Sequence, residues 1–206
     1  MRGVLSLGVL MFALGCGASE PVAGEGALSV HASMRGFDLR KADLRDADLR
    51  HADLRAARLD KAQLERADLR DAQLGETKFD HATIVGAQLN RAHADGSSLR
   101  WLDLREVDLS ETELRGADLR GSSFQGTLLE GTLLDGADLR GVDLRGVDLR
   151  RVSIVGADLR GAKADAATQW PASMGKPWTL GVKVEGQRFE IDLERGVAEV
   201  DASPSP

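Results

Sequence analysis

The chain has 206 residues, enough for one domain of ordinary size or one short solenoid. Charged residues make up 29% of the sequence, yet the formal net charge is only -6, so composition implies no strong acidic or basic field. The apolar fraction of 42% is too high for a disordered chain, and a single cysteine excludes an internal disulfide.

An apolar run from Gly3 to Leu14 follows Arg2 and ends just before the only cysteine, Cys16. A basic start, about a dozen apolar residues and then small residues are the layout of a signal peptide. The run is too short to cross a bilayer, which takes roughly 20 apolar residues. The sequence Ala-Leu-Gly-Cys at 13–16 resembles a bacterial lipobox, although its first two residues depart from the commonest pattern.

This resemblance implies that residues 1–15 are a signal peptide and that Cys16 becomes the first mature residue and carries the lipid, including palmitate. Residues 16–33 are small and polar and predict a flexible tether behind the lipid anchor. The expected location is the bacterial cell envelope, in an outer-membrane lipoprotein facing the periplasm or the cell surface. An ordinary secretory signal, with Cys16 incidental, is the alternative and gives a soluble secreted protein.

From Met34 to Ala164 an apolar residue, usually Leu, occupies every fifth position. A small residue, most often Ala, lies two positions earlier, with Asp common between them and Arg common afterwards. A helix repeats every 3.6 residues and a strand every two, so neither fits. The chain must turn once per repeat, with two of every five side chains directed inward.

The unit Ala-Asp-Leu-Arg-Gly, present at 117–121, 137–141 and 157–161, is similar to the repeat of the pentapeptide repeat family. This resemblance implies an all-β fold, a right-handed quadrilateral β-helix in which four repeats form one coil. Residues 34–166 are then expected to form a solenoid of about seven coils, spaced about 4.8 Å apart.

The pattern ends at Thr-Gln-Trp-Pro, residues 168–171, which resembles the segment that closes such domains. The resemblance implies a C-terminal cap over 167–177, with Trp170 lying on the last coil. Beyond the cap, two alternating stretches at 180–184 and 189–193 predict a β-hairpin within the 178–206 tail, with a third short strand through 197–200 and a frayed end. Two strands alone are marginally stable, so we expect the hairpin to dock near the capped end.

The repeat pattern predicts no catalytic, cofactor-binding or metal-binding residues. The four histidines do not fall in one column of a 20-residue coil, and a regular convex solenoid has no cleft in which a nucleophile and a base could meet. We therefore expect a protein that is not an enzyme and has no cofactor.

Some residues break the repeat's rules. Apolar residues occupy four outward positions and predict a small interaction patch, which is either a partner site or the docking site of the tail: Leu128, Leu133, Val155 and Trp101. Inside the solenoid, Leu102 is large where Ala is expected and Ala94 is small where Leu is expected. We hypothesise that Leu102 reaches across the coil and fills the space that Ala94 leaves.

Two functions of different classes follow. The first is a non-enzymatic structural or protein-interaction module on a rigid rod that is anchored to the membrane at Cys16. Its expected partner is a protein and not a nucleic acid, and an end-to-end dimer is left open. The second is a DNA-mimicking, topoisomerase-binding protein, as some members of the family are. Residues 34–165 carry 22 Lys and Arg against 25 Asp and Glu, a net charge of -3, whereas duplex DNA carries a negative charge about every 1.7 Å, which disfavours the second function.

Overall fold

The computed structural model describes residues 33–174, 183–184, 189–192 and 197–200. Cys16, the signal segment and most of the tether lie outside these residues. Within 33–174, single residues form parallel bridges to the residue 20 positions later, such as Ser33 to Asp53 and Asp53 to Gln73. Four repeats therefore complete one coil. We number the four faces by the residues that begin them: face 1 at Ser33, face 2 at Asp38, face 3 at Asp43 and face 4 at Asp48.

The repeats are joined by tight turns at the corners between faces. In the first full turn the Ala42 N–H donates to the Leu39 carbonyl at 3.1 Å, and Lys41, the third residue of the turn, has φ 60°. A positive φ at this position defines a type II turn, for which Gly is best suited. Every fifth residue from Gly36 to Gly161 has a positive φ except Arg151. Side chains rather than Gly occupy most of these corners up to Glu111.

The core is a stack of apolar side chains along the solenoid axis. The Leu residues of the fifth-position column are at most 3% exposed from Leu39 to Leu159, and Phe79 and Phe124 fill two of the same positions. Buried hydroxyl groups at the small inward positions are mostly paired. Thr77, for example, donates its hydroxyl to the Leu54 carbonyl at 2.7 Å. The interior therefore excludes water while satisfying most of its polar groups.

Backbone hydrogen bonds join each coil to the next, as when the Leu59 N–H donates to the Lys78 carbonyl at 2.7 Å. Within 33–174 this bridge pattern is interrupted between Thr83 and Asp103 on face 3 and between Leu128 and Asp148 on face 4. Leu102 lies beside the first interruption. The prediction that it points inward is confirmed, because it is 2% exposed; Ala94 is 1% exposed.

The C-terminal end departs from the 20-residue spacing. Asp148 bridges to Gln169, and the Thr168 hydroxyl donates to the Leu144 carbonyl at 2.9 Å. Trp170 is half-buried and packs against the core, and Pro171 is buried.

The described residues include four short strands in the C-terminal part of the chain: β1 Lys163–Ala164, β2 Lys183–Val184, β3 Phe189–Asp192 and β4 Val197–Val200. β2 pairs in parallel with β1, and β3 pairs antiparallel with β4. The predicted pairing of 180–184 with 189–193 is therefore wrong. The hairpin joins β3 to β4, because β2 continues the 20-residue register of the solenoid and pairs with the free edge of β1.

No helix in the described part of the chain is long and apolar enough to span a membrane.

Candidate interaction surface

In eleven of the described repeats an Asp–Arg pair flanks the central Leu on the outer surface. Arg140 shows the geometry: its Nε and Nη2 donate to the two carboxylate oxygens of Asp138 at 2.8 and 2.6 Å. This hydrogen bond lowers the pKa of Asp138. The pKa of Asp158 falls to about 2, chiefly because Arg160 donates to it in the same way. Carboxylates neutralised in this manner do not present the continuous negative surface that a DNA mimic needs.

The four predicted patch residues do not lie together. Leu128 is on face 4 and is 60% exposed, whereas Val155, 75% exposed, and the half-buried Leu133 are on face 1. Faces 4 and 1 meet at a corner that contains Gly131 and, one coil later, Arg151, which pairs with Glu130. Trp101 is 60% exposed but occupies the diagonally opposite corner, between faces 2 and 3. Val155 and Gly156 are the two central residues of the turn from face 1 to face 2. The structure therefore places Leu128 and Leu133 on the two faces that flank the Gly131 corner, and Val155 at the far side of face 1. We call the surface that includes these three residues the apolar corner.

A groove of about 660 Å³ opens on face 4 beside the apolar corner. The groove lies at the second interruption of the bridge pattern. One coil earlier, the Leu109 N–H donates to the Leu128 carbonyl at 2.9 Å, but the equivalent bond from Leu129 to Asp148 is absent. The lining of the groove combines apolar, hydroxyl and charged groups: Ser110, Thr127, Leu128, Leu129, Glu130, Asp148, Arg150 and Arg151. Such a mixed concave surface beside exposed apolar residues is suited to contact with another protein.

A local irregularity at Arg151 accompanies the groove. Arg151 is the one corner residue between Gly36 and Gly161 without a positive φ. The Gly131 N–H donates to the carbonyl of Arg151, whereas the regular pattern would place this bond on the carbonyl of Arg150. Bulges of this kind redirect side chains. The Arg151 side chain is 77% exposed and pairs with Glu130.

Sequence reasoning singled out Leu128 but missed the other residues that line the groove. A signal was present, because Arg151 is the only corner residue from Gly116 to Gly161 that is not Gly.

The three histidines that the structure describes lie apart on the outside. His51 and His81 are exposed at corners, and His93 on face 1 has its Nδ1 3.1 Å from a carboxylate oxygen of Glu113. The described residues contain no cluster of His, Cys, Asp and Glu suited to a metal ion.

The model of pentapeptide repeats matches the chain in eight copies, over residues 30–60, 47–84, 57–93, 72–111, 84–121, 97–136 and 128–163. The chain belongs to the pentapeptide repeat family. Proteins of this family form right-handed quadrilateral β-helices, in agreement with the four-faced coils described above.

Solved pentapeptide repeat proteins resemble the chain. HetL, which is involved in heterocyst differentiation regulation in the cyanobacterium Nostoc, is 26% identical, with 63% of this chain and 73% of HetL covered and a TM-score of 0.38. A trypsin-treated form of QnrB1, a plasmid-mediated fluoroquinolone resistance protein, is 16% identical, with coverages of 76% and 92% and a TM-score of 0.55. The Nostoc protein alr5209 is 31% identical, with coverages of 57% and 84% and a TM-score of 0.37. No curated protein sequence matches significantly.

Proposed function

We propose that this pentapeptide repeat protein is a non-enzymatic lipoprotein of the bacterial envelope, whose solenoid serves as a rigid protein-interaction rod. The observation that carries the proposal is Cys16, which follows the apolar run from Gly3 to Leu14 and precedes a small, polar tether. Acyl chains on Cys16 hold the protein at the membrane, since each buried methylene contributes about 0.8 kcal/mol. The rod has about seven coils, and Trp170 packs against its C-terminal end.

The rod presents the apolar corner and the adjoining groove to a protein partner. Leu128 and Val155 are the exposed apolar residues there, on a surface otherwise covered by charged pairs. Contiguous apolar residues framed by polar ones are typical of protein contact sites.

The anchor is tested with Cys16→Ala in cells that are supplied with labelled palmitate and then separated into membrane and soluble fractions. We expect the unaltered protein to take up label and sediment with membranes, and Cys16→Ala to lose both properties. Ser19→Ala, a change in the tether that leaves Cys16 intact, is the matched control. Release of unlabelled, unaltered protein into the soluble fraction contradicts the anchor and favours the soluble secreted alternative.

The interaction surface is tested separately with a photoreactive amino acid at position 155 in intact cells. We expect a defined protein adduct from position 155 and none from position 63, which lies on the opposite side of the solenoid on face 3. Equal adducts from both positions contradict a contact at the apolar corner.

A further inference from the structure

The C-terminal end of the solenoid leaves part of its core uncovered by the described residues. Ile154 and Ala157 are only partly buried, although the equivalent residues one coil earlier, Leu134 and Ala137, are at most 1% exposed. Trp170 and Met174 pack against this end and are themselves partly exposed. Among the described residues, Trp170 and Met174 therefore leave Ile154 and Ala157 partly exposed at this end.

Beyond Met174, the next described segment of the chain, β2, pairs with this same end of the solenoid. β2 pairs with β1 as Lys163 with Lys183 and Ala164 with Val184, which keeps the 20-residue spacing of the coils. β3 begins five residues after Val184. A chain of five residues reaches at most about 17 Å, so β3 begins within that distance of Val184 and can reach this end of the solenoid.

The register of β3 and β4 gives their hairpin two unlike faces. Phe189 pairs with Val200 and Ile191 with Ala198, and these apolar pairs alternate with the pair of Glu190 and Glu199. Directly paired residues lie on the same face of a two-stranded sheet, and the next pair lies on the other. One face of the hairpin is therefore apolar. Such a hairpin is marginally stable alone and needs a surface to cover it.

We propose that the β3–β4 hairpin of the same chain docks on the C-terminal end of the solenoid, with its apolar positions over Ile154 and Ala157. The occupant is the chain's own hairpin and not a second copy, because the β1–β2 pairing already holds the tail at this end and reduces the entropy cost of docking. The docked hairpin covers the one end that a second solenoid could otherwise stack upon. This docking depends neither on the lipid anchor nor on an external partner.

The test uses the full chain carrying Cys16→Ala, with Ile191→Asp as the disrupting variant and Glu199→Lys as the matched control on the other face of the hairpin. Hydrogen exchange of the amides from 152 to 162 is measured in all three proteins, together with their mass in solution over a range of concentrations. We expect Ile191→Asp to speed exchange at least about tenfold and Glu199→Lys to leave it unchanged. We expect the protein with the unaltered hairpin to have the mass of a monomer at every concentration.

Two outcomes overturn the proposal. Equal exchange in Ile191→Asp and Glu199→Lys means that the hairpin does not cover the end. A concentration-dependent dimer whose formation protects residues 152–162 means that a second copy occupies it. Since the anchor is absent from all of these proteins, neither outcome bears on the proposed membrane attachment.

Discussion

Trp101 and Gly121 occupy successive places at the corner between faces 2 and 3, and the indole lies against the glycine. A Cβ atom placed on Gly121 overlaps Cε3 and Cζ3 of Trp101, whereas nothing lies within 4 Å of the same atom on Gly141, one coil later. Both glycines have left-handed backbones, with φ of +71° and +69°. The two positions therefore differ in their neighbour and not in their conformation.

We expect Gly121→Ala to destabilise the solenoid more than Gly141→Ala does. Both changes carry the backbone strain of a left-handed alanine, about 1 kcal/mol. Gly121→Ala also displaces the indole and loses its packing, which adds roughly 1 kcal/mol. Urea unfolding and the tryptophan emission maximum measure the difference, with Gly141→Ala as the control for strain. Equal stability and equal emission in the two variants contradict the role assigned to Gly121.

At the scale of one coil, one missing bridge coincides with a change in side-chain volume. The bridge between Thr83 and Asp103 is missing where Leu102 replaces the usual small inward residue. The Leu102 N–H donates to the Ser122 hydroxyl at 2.9 Å instead of closing the usual turn. A large inward residue therefore lies directly beside the missing bridge on face 3.

We expect Leu102→Ala to lower the free energy of unfolding by about 2–5 kcal/mol, because it leaves a cavity. If Leu102 fills the space beside Ala94, adding Ala94→Leu to that variant restores at least half of the loss. Urea unfolding of both single variants and the double variant measures this coupling. A double variant no more stable than Leu102→Ala alone shows that the two positions are independent.

The corners could be predicted from the sequence, since a period of five requires one turn per repeat, and the resemblance to the pentapeptide repeat family supplied the four repeats of each coil. The Ala-Asp-Leu-Arg-Gly units at 117–121, 137–141 and 157–161 even display the corner glycines. The groove could not be predicted, because it depends on how neighbouring coils stack at Leu128 and Asp148. The pairing of β2 was also missed, since an alternating pattern does not reveal which edge a strand joins.

At the scale of the whole molecule, the Asp–Arg pairs make stability depend on acidity. The pKa values of Asp38, Asp43 and Asp53 fall to about 2, chiefly because Arg40, Arg45 and Arg55 donate to them. An unfolded Asp has a pKa of about 3.9 and therefore takes up its proton first as the pH falls. The contribution of these pairs is complete above pH 4 and is lost as the pH falls toward 2.

We expect the thermal midpoint to fall between pH 4 and pH 2 and to change little between pH 5 and pH 7. The midpoint is measured by circular dichroism of the β-helix. Asp53→Asn removes one titrating pair, so we expect the thermal midpoint of this variant to fall slightly less between pH 4 and pH 2. High salt flattens the fall further because exposed pairs are screened. A midpoint that is constant down to pH 2 contradicts the assignment.

The four-repeat coil also constrains how this chain can evolve. Inserting one repeat preserves every inward position, so the core survives, but it turns all later residues by a quarter of a revolution. One extra repeat between Leu133 and Val155 moves Val155 from face 1 to face 2 and disperses the apolar corner. Only the duplication of a whole coil, four repeats, lengthens the rod and keeps every later residue on its original face. Selection for a binding surface therefore favours insertions and deletions in multiples of four repeats.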